Sequence, residues 1–153
     1  MEKTMAESQS SNNVKAPWHL WVVGIAGLLW SAMGAMDYVM TKLKVESYMA
    51  AFTPEQLEFF YGFPVWVSAA WAIAVWGGVI GCLLLLLRKS AAVVVLLASF
   101  VAMAITALHN YGLSNGMEVV GDTFSLVFTA VIFLVGLLLY LYAKAMRARG
   151  VLN

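Results

Sequence analysis

The stretch VWVSAAWAIAVWGGVIGCLLLLLRKSAAVVVLLASFVAMAITALHNY, residues 65–111, decides the fold. It contains two uninterrupted apolar runs, Val65–Leu87 and Ala91–Tyr111, separated only by Arg88, Lys89 and Ser90. Each run exceeds the roughly 20 residues that a helix needs to cross a bilayer. A three-residue connection leaves no room for anything but a tight turn, so the two helices are antiparallel neighbours. Working outward, two further runs of the same kind flank this hairpin, Trp18–Thr41 and Thr123–Ala143. The chain of 153 residues is 63% hydrophobic and 11% charged, with a mean hydropathy of +0.86. Soluble domains carry about 45–50% apolar and roughly 25% charged residues. The expected fold is therefore an all-α integral membrane protein, a four-transmembrane-helix antiparallel bundle occupying residues 17–146.

Charge sets the expected orientation. Four spans put the N-terminus, the Arg88–Lys89 turn and the C-terminus on one side, with Lys3, Lys15, Arg88, Lys89, Lys144, Arg147 and Arg149 against Glu2 and Glu7. The other side holds Lys42 and Lys44 with Asp37, Glu46, Glu55, Glu58, Glu118 and Asp122. By the positive-inside rule both termini are expected in the cytoplasm and the acidic side outside. Residues 1–16, rich in Ser, Asn and Gln, read as a disordered cytoplasmic tail, and 147–153 as a second one. Trp18 and Trp21 with Tyr140 and Tyr142 suit the inner headgroup level, and Trp66 and Tyr111 the outer one. The first span is longer than the 7–15-residue core of a signal peptide, so it is expected to stay in the chain.

The one long connection, Thr41 to Pro64, has structure of its own. In TPEQLEFFYGFP, Thr53 is placed as N-cap, Pro54 at the first helical position and Gln56 three residues after the cap, a capping box. The spacing predicts a helix over about 54–61, with Leu57, Phe60 and Tyr61 on one face and Glu55 and Glu58 on another. Such a helix suits the outer membrane surface. The preceding KVESYMAAF is expected to extend the first span as a helix as far as Phe52–Thr53.

Polar residues inside or beside the spans are the candidates for function. Asp37 and Tyr38 lie near the outer end of the first span, His109 and Asn110 close the third, and Asp122 opens the fourth. Ser125 and Thr129 continue the Asp122 stripe inward, and Ser99, Thr106 and Asn110 form one on the third span. These groups are expected to converge on the outer third of the bundle. One reading is a cation, proton or solute site built on Asp37, His109 and Asp122, since an imidazole beside carboxylates is suited to proton exchange. The other is a polar belt that fixes helix register, which carboxylates at span ends do cheaply. Trp30 and Trp76 share a depth near mid-membrane, either as platforms for a sugar ring or packed against Gly34, Gly77 or Gly78. Gly77-x-x-x-Gly81 is a small-xxx-small motif that suits either packing within the chain or a partner helix.

Other chemistries are not expected. Cys82 is the only cysteine and lies mid-span, so there is no intramolecular disulfide or thiolate metal centre. One imidazole with two carboxylates does not make a zinc site. His19 and His109 sit at opposite ends of the bundle, about 27 Å of helix rise apart, which excludes a bis-histidine haem in one bundle. No nucleophile–base pair, phosphate loop or nucleic-acid stripe occurs, so no enzyme activity, cofactor or nucleic-acid partner is expected.

The blocks PWHLWVVGIAGLLWSAMGAMDYVMT (17–41) and ESYMAAFTPEQLEFFYGFPVWVSAAWAIAVWGGVIGCLLLL (46–86), with His109–Asn110, resemble a family of small four-span bacterial membrane proteins whose members often carry the label sugar transporter. The resemblance covers most of the chain. It implies a bacterial inner-membrane location and assigns no binding residues. Two functions stay open: a small-solute carrier of sugar type acting as an oligomer, or a non-transporting accessory or envelope-stress protein. The second would bind a partner through its outer helix or Gly/Ala faces.

Overall fold

The computed structural model describes residues 14–153; the expected tail at 1–16 lies outside the described residues except for its last three. The order of elements is α1 (Trp18–Lys42), α2 (Glu46–Met49), α3 (Pro54–Tyr61), α4 (Val65–Leu86), α5 (Ala91–Leu108), a π-helical turn (His109–Leu113), α6 (Gly116–Val120) and α7 (Thr123–Ala148). The four expected spans are α1, α4, α5 with its π turn, and α7, all long and apolar enough to cross a membrane. At 1.5 Å per residue the 25 residues of α1 reach about 37 Å, more than a hydrocarbon core of roughly 30 Å.

Helix α4 is the centre of the bundle, with α1 on one side and α5 on the other; α7 lies on α5 and touches α1 only lightly. The contacts are made by small residues, because in lipid the close approach of backbones replaces the hydrophobic effect as the source of cohesion. A Cβ added to Gly78 would stand 2.8 Å from the Ser31 hydroxyl of α1, and one added to Gly77 would stand 3.0 Å from Ser99 Cβ of α5. One turn on, Gly81 accepts the Leu96 side chain of α5. The Gly77-x-x-x-Gly81 face is therefore filled by α5 of the same chain. Gly24 likewise receives Leu86, and Gly27 receives Leu139 and Cys82. Ser99 hands its hydroxyl proton to the Ala74 carbonyl (2.5 Å), so the hydroxyl at this crossing is satisfied without water.

The core sits toward the end of the bundle that carries both described chain ends, around Leu20, Cys82, Leu85, Leu96, Leu139, Ala143 and Met146. The buried residues of α7 are Leu139, Ala143 and Met146, all in its second half. The bundle is thus tightest at this terminal end. The segment expected as a tail from 147 does not leave it. Helix α7 runs to Ala148, and Val151 and Leu152 are buried in the core. The Asn153 N–H donates to Arg88 O (2.8 Å) and its carbonyl accepts from Ser90 N (2.7 Å), while Arg88 Nε donates to Val151 O (3.1 Å). His19 Nδ1 is hydrogen-bonded to the Tyr142 hydroxyl, tying α1 to α7 at the same end.

The first span ends at Lys42, where its apolar run ends, but the expected helical extension through KVESYMAAF is broken. Lys44 adopts φ +51, and the Val45 N–H bonds back to Met40 O (3.1 Å), a Schellman-type stop. Arg88 (φ +58) ends α4 in the same way, with Lys89 N bonded to Leu84 O, as does Gly150 after α7. Two of the three left-handed caps are thus basic residues and not the usual glycine. A cation at that place is favoured by the carbonyl-rich end of the helix, which offsets part of the left-handed penalty.

The Gly78 contact makes a direct prediction. Gly78→Val overpacks the α1–α4 crossing and is expected to destabilise the bundle by about 1–3 kcal/mol. Ser31→Gly in the same chain recovers most of that loss, because Ser31 is the atom group struck. Gly34→Ala, whose Cβ would find Val75 at an ordinary 3.5 Å, is expected to be near neutral. Unfolding in micelles, followed by helical circular dichroism, ranks the three.

Candidate functional site

The expected helix α3 forms as its sequence requires. Thr53 Oγ accepts from Gln56 N (3.2 Å) and Gln56 Oε1 accepts from Thr53 N (3.1 Å), the reciprocal capping box, and Gly62 ends the helix. Its placement was only partly legible. Phe59, assigned to neither face at the sequence level, is the residue turned onto the bundle. It stacks on His109 (6.5 Å between centroids), meets Phe63 edge-on (5.3 Å) and stands 3.1 Å from where a Gly116 Cβ would be. Phe60 meets Phe52 and Phe63. Helix α3 is therefore a cover over the loop end of the bundle, fixed by an aromatic cluster.

His109 is the centre of that cluster. It is 8% exposed, boxed by Phe59, Phe63 (5.6 Å) and Trp66 (5.5 Å). It opens the π turn, the kind of helix irregularity that recurs at functional positions. The turn is held by Ser114, whose hydroxyl donates to His109 O (2.8 Å) and Asn110 O (3.2 Å). It also folds back so closely that a Cβ on Gly116 would stand 1.8 Å from Asn110 O, so only glycine fits there. Asn110 presents Oδ1 to His109 Nδ1 at 3.2 Å.

Between α3, the π turn and α6 lies a hollow of about 630 Å3, lined by Glu55, Glu58, Phe59, Gly62, Phe63, Pro64, His109, Ser114, Asn115, Glu118 and Val119. Of the residues singled out from the sequence, His109 alone lines it. The sequence signal for the rest was present but dispersed: Glu55 and Glu58 share a face of α3, and only the fold sets Glu118 opposite them.

The other expected members have partners of their own. Asp37 accepts a hydrogen bond from the Tyr48 hydroxyl of α2, which anchors the short helix to α1. Tyr38 packs edge-on against Trp71 (4.9 Å), with the Lys42 ammonium 6.0 Å from its ring and bonded to Ser68 Oγ (2.6 Å). Asp122 is exposed and caps α7, accepting from Ser125 N (3.1 Å) and Ser125 Oγ (2.7 Å), which holds its carboxyl below the usual range. Thr129 Oγ donates to Ser125 O (2.8 Å) and is paired with the Tyr111 hydroxyl (3.0 Å), linking α7 to the π turn. Trp30 and Trp76 look different ways. The first meets Phe128 of α7 (6.1 Å), while the second is 42% exposed and lines a shallow apolar groove of about 310 Å3 between α1 and α4. Gly34, Gly77 and Gly78 are covered by Val75, Ser99 and Ser31, not by these tryptophans. Among the described residues no group of three or more His, Cys, Asp or Glu side chains is placed to hold a metal.

The Asp37–Tyr48 tie has a titration signature. Burial, and then the Asp37 hydrogen bond and charge, push the Tyr48 phenol from 10 up to about 12. A raised pKa favours the protonated folded form, so the contribution is complete below pH 10 and is lost as pH rises from 10 to about 12. Ultraviolet difference titration is expected to show a late phenol that moves part of the way back toward 10 in Asp37→Asn. Loss of the Asp122 cap in Asp122→Ala is expected to raise amide exchange in the first turn of α7 and leave the hollow unchanged.

No protein-family model, curated protein or solved structure matches the chain.

Proposed function

We propose that this multi-pass membrane protein is a small-solute carrier that takes its solute into the hollow at the loop end of the bundle. The observation that carries this reading is a space of about 630 Å3 with a buried imidazole in its wall, set beside a covering helix. Small-ligand sites occupy about 300–1,000 Å3, a range that includes this hollow. A bacterial inner membrane is proposed as its place, on the sequence resemblance alone. The basic bias of the terminal end supports cytoplasmic termini and an outward-facing hollow. The hollow shares no lining residue with the groove at Trp76. A second copy of the chain would complete a path across the membrane, and α7, the least buried span, offers the surface for it.

A second reading has one observation in its favour. The groove lined by Ala32, Ala35, Met36 and Trp76 is apolar, flanked by small residues and turned toward lipid, which suits an accessory protein that binds a partner helix.

Purified protein in liposomes, offered a panel of labelled sugars and organic cations, separates the two. The carrier reading expects saturable uptake that falls at least tenfold in His109→Ala and is retained in Asp122→Asn, whose carboxylate only caps α7. Uptake no faster than in empty vesicles across the panel, with both variants helical, would remove the carrier reading. The search would then turn to Ala32→Leu and its effect on co-purifying membrane proteins.

A further inference from the structure

The polar side chains of the hollow share one property: nearly all of them accept hydrogen bonds and hardly any donate. Glu55 and Glu58 reach it from one face of α3 and Glu118 from α6, all three exposed. Among the described residues no lysine or arginine lines it. The Ser114 hydroxyl proton is already shared between the His109 and Asn110 carbonyls, so Ser114 has only lone pairs left to offer. His109 adds a second, independent feature. Its Nδ1 faces Asn110 Oδ1, an acceptor, at 3.2 Å, so Nδ1 donates there and Nε2 is the ring nitrogen left for a ligand. Among the described residues Nε2 has no hydrogen-bond partner. Yet among the described residues no sealed side-chain nitrogen or oxygen lacks one. Nε2 is therefore not sealed, and the space to which the 8%-exposed ring opens is the hollow that it lines.

We infer that the hollow is a site for protonated aliphatic amines with two or more ammonium groups. The inference rests on the reading of the hollow as a solute site and names the solute class. An ammonium carries three donors and no acceptor, the complement of this lining. One ammonium donates to His109 Nε2 at the wall, and the carboxylates above it receive the rest of the charge. The rings of Phe59 and Phe63 cover the methylene chain and attract the cation through their faces. A neutral sugar needs donors for its hydroxyl oxygens as well as acceptors, and the Asn115 amide is the one side-chain donor available.

The test is binding of spermidine and of glucose to the full chain in nanodiscs of zwitterionic lipid at about 0.15 M salt, where loose surface pairing is screened. Heat of binding is the readout, and Trp66 fluorescence, 5.5 Å from His109, is the second. Wild type is expected to bind spermidine saturably with one site and to give no heat with glucose. The pair Glu58→Gln and Glu118→Gln, both exposed and harmless to folding, is expected to weaken spermidine at least tenfold. His109→Phe, which keeps the aromatic box and removes the acceptor, is expected to weaken it at least fivefold. Spermidine binding that is absent in the wild type, or equal in wild type and the double Glu variant, overturns the inference. Glucose binding lost in His109→Phe overturns the amine class and leaves the hollow as a solute site. Spermidine binding as expected, without uptake into vesicles, leaves the amine site and removes the carrier.

Discussion

The structure depends on how closely α4 approaches its two neighbours at Gly77 and Gly78. In a bilayer the surroundings of a helix are as apolar as the helix, so burying leucine against leucine gains little. What holds these helices together is the density of contact where no side chain intervenes. Adjacent glycines on α4 meet both neighbours at one depth, Gly77 against Ser99 of α5 and Gly78 against Ser31 of α1. A single level of the central helix therefore fixes both crossings. Gly81, Gly24 and Gly27 extend the same contact toward the terminal end, where leucines fill the spaces that the glycines leave.

That gradient explains where the hollow is. Toward the terminal end the chain is stapled by its last residues, by Arg88 and by the His19–Tyr142 bond. Toward the loop end the glycine contact loosens to Gly34 against Val75, at an ordinary 3.5 Å, and aromatic rings take over. Phe59, Phe63, Trp66 and His109 are too large to interlock like leucine on glycine, and the space beside them is lined by the polar ends of α3 and α6. Backbone groups leaving regular helix at this level still need partners. The π turn supplies them through Ser114 and through the closeness of Gly116, so His109 is held without a rigid helix around it.

Much of this was legible in the sequence, for identifiable reasons. The four spans follow from the length of apolar runs, a property that no tertiary contact alters. The capping box at Thr53 is a local exchange of two hydrogen bonds and forms as its spacing requires. The break after α1 was not legible, because the stop uses Lys44 in a left-handed conformation where glycine is the usual signal. The cluster of Asp37, His109 and Asp122 was expected from shared depth. Depth is one coordinate of three: Asp37 turns to Tyr48, and Asp122 to its own helix start. Trp30 and Trp76 share a depth in the same sense and face Phe128 and the lipid groove.

Hydrophobic length and chain connection were enough to set the four spans, their antiparallel order and which ends share a side. Only the tertiary structure decided which polar residues meet. A helix of 3.6 residues per turn sends side chains of equal depth in unrelated directions, and rotation about each axis is set by the glycine contacts. That rotation, with the fold of the π turn and the tilt of α3, brings Glu55, Glu58, Glu118 and His109 around one space.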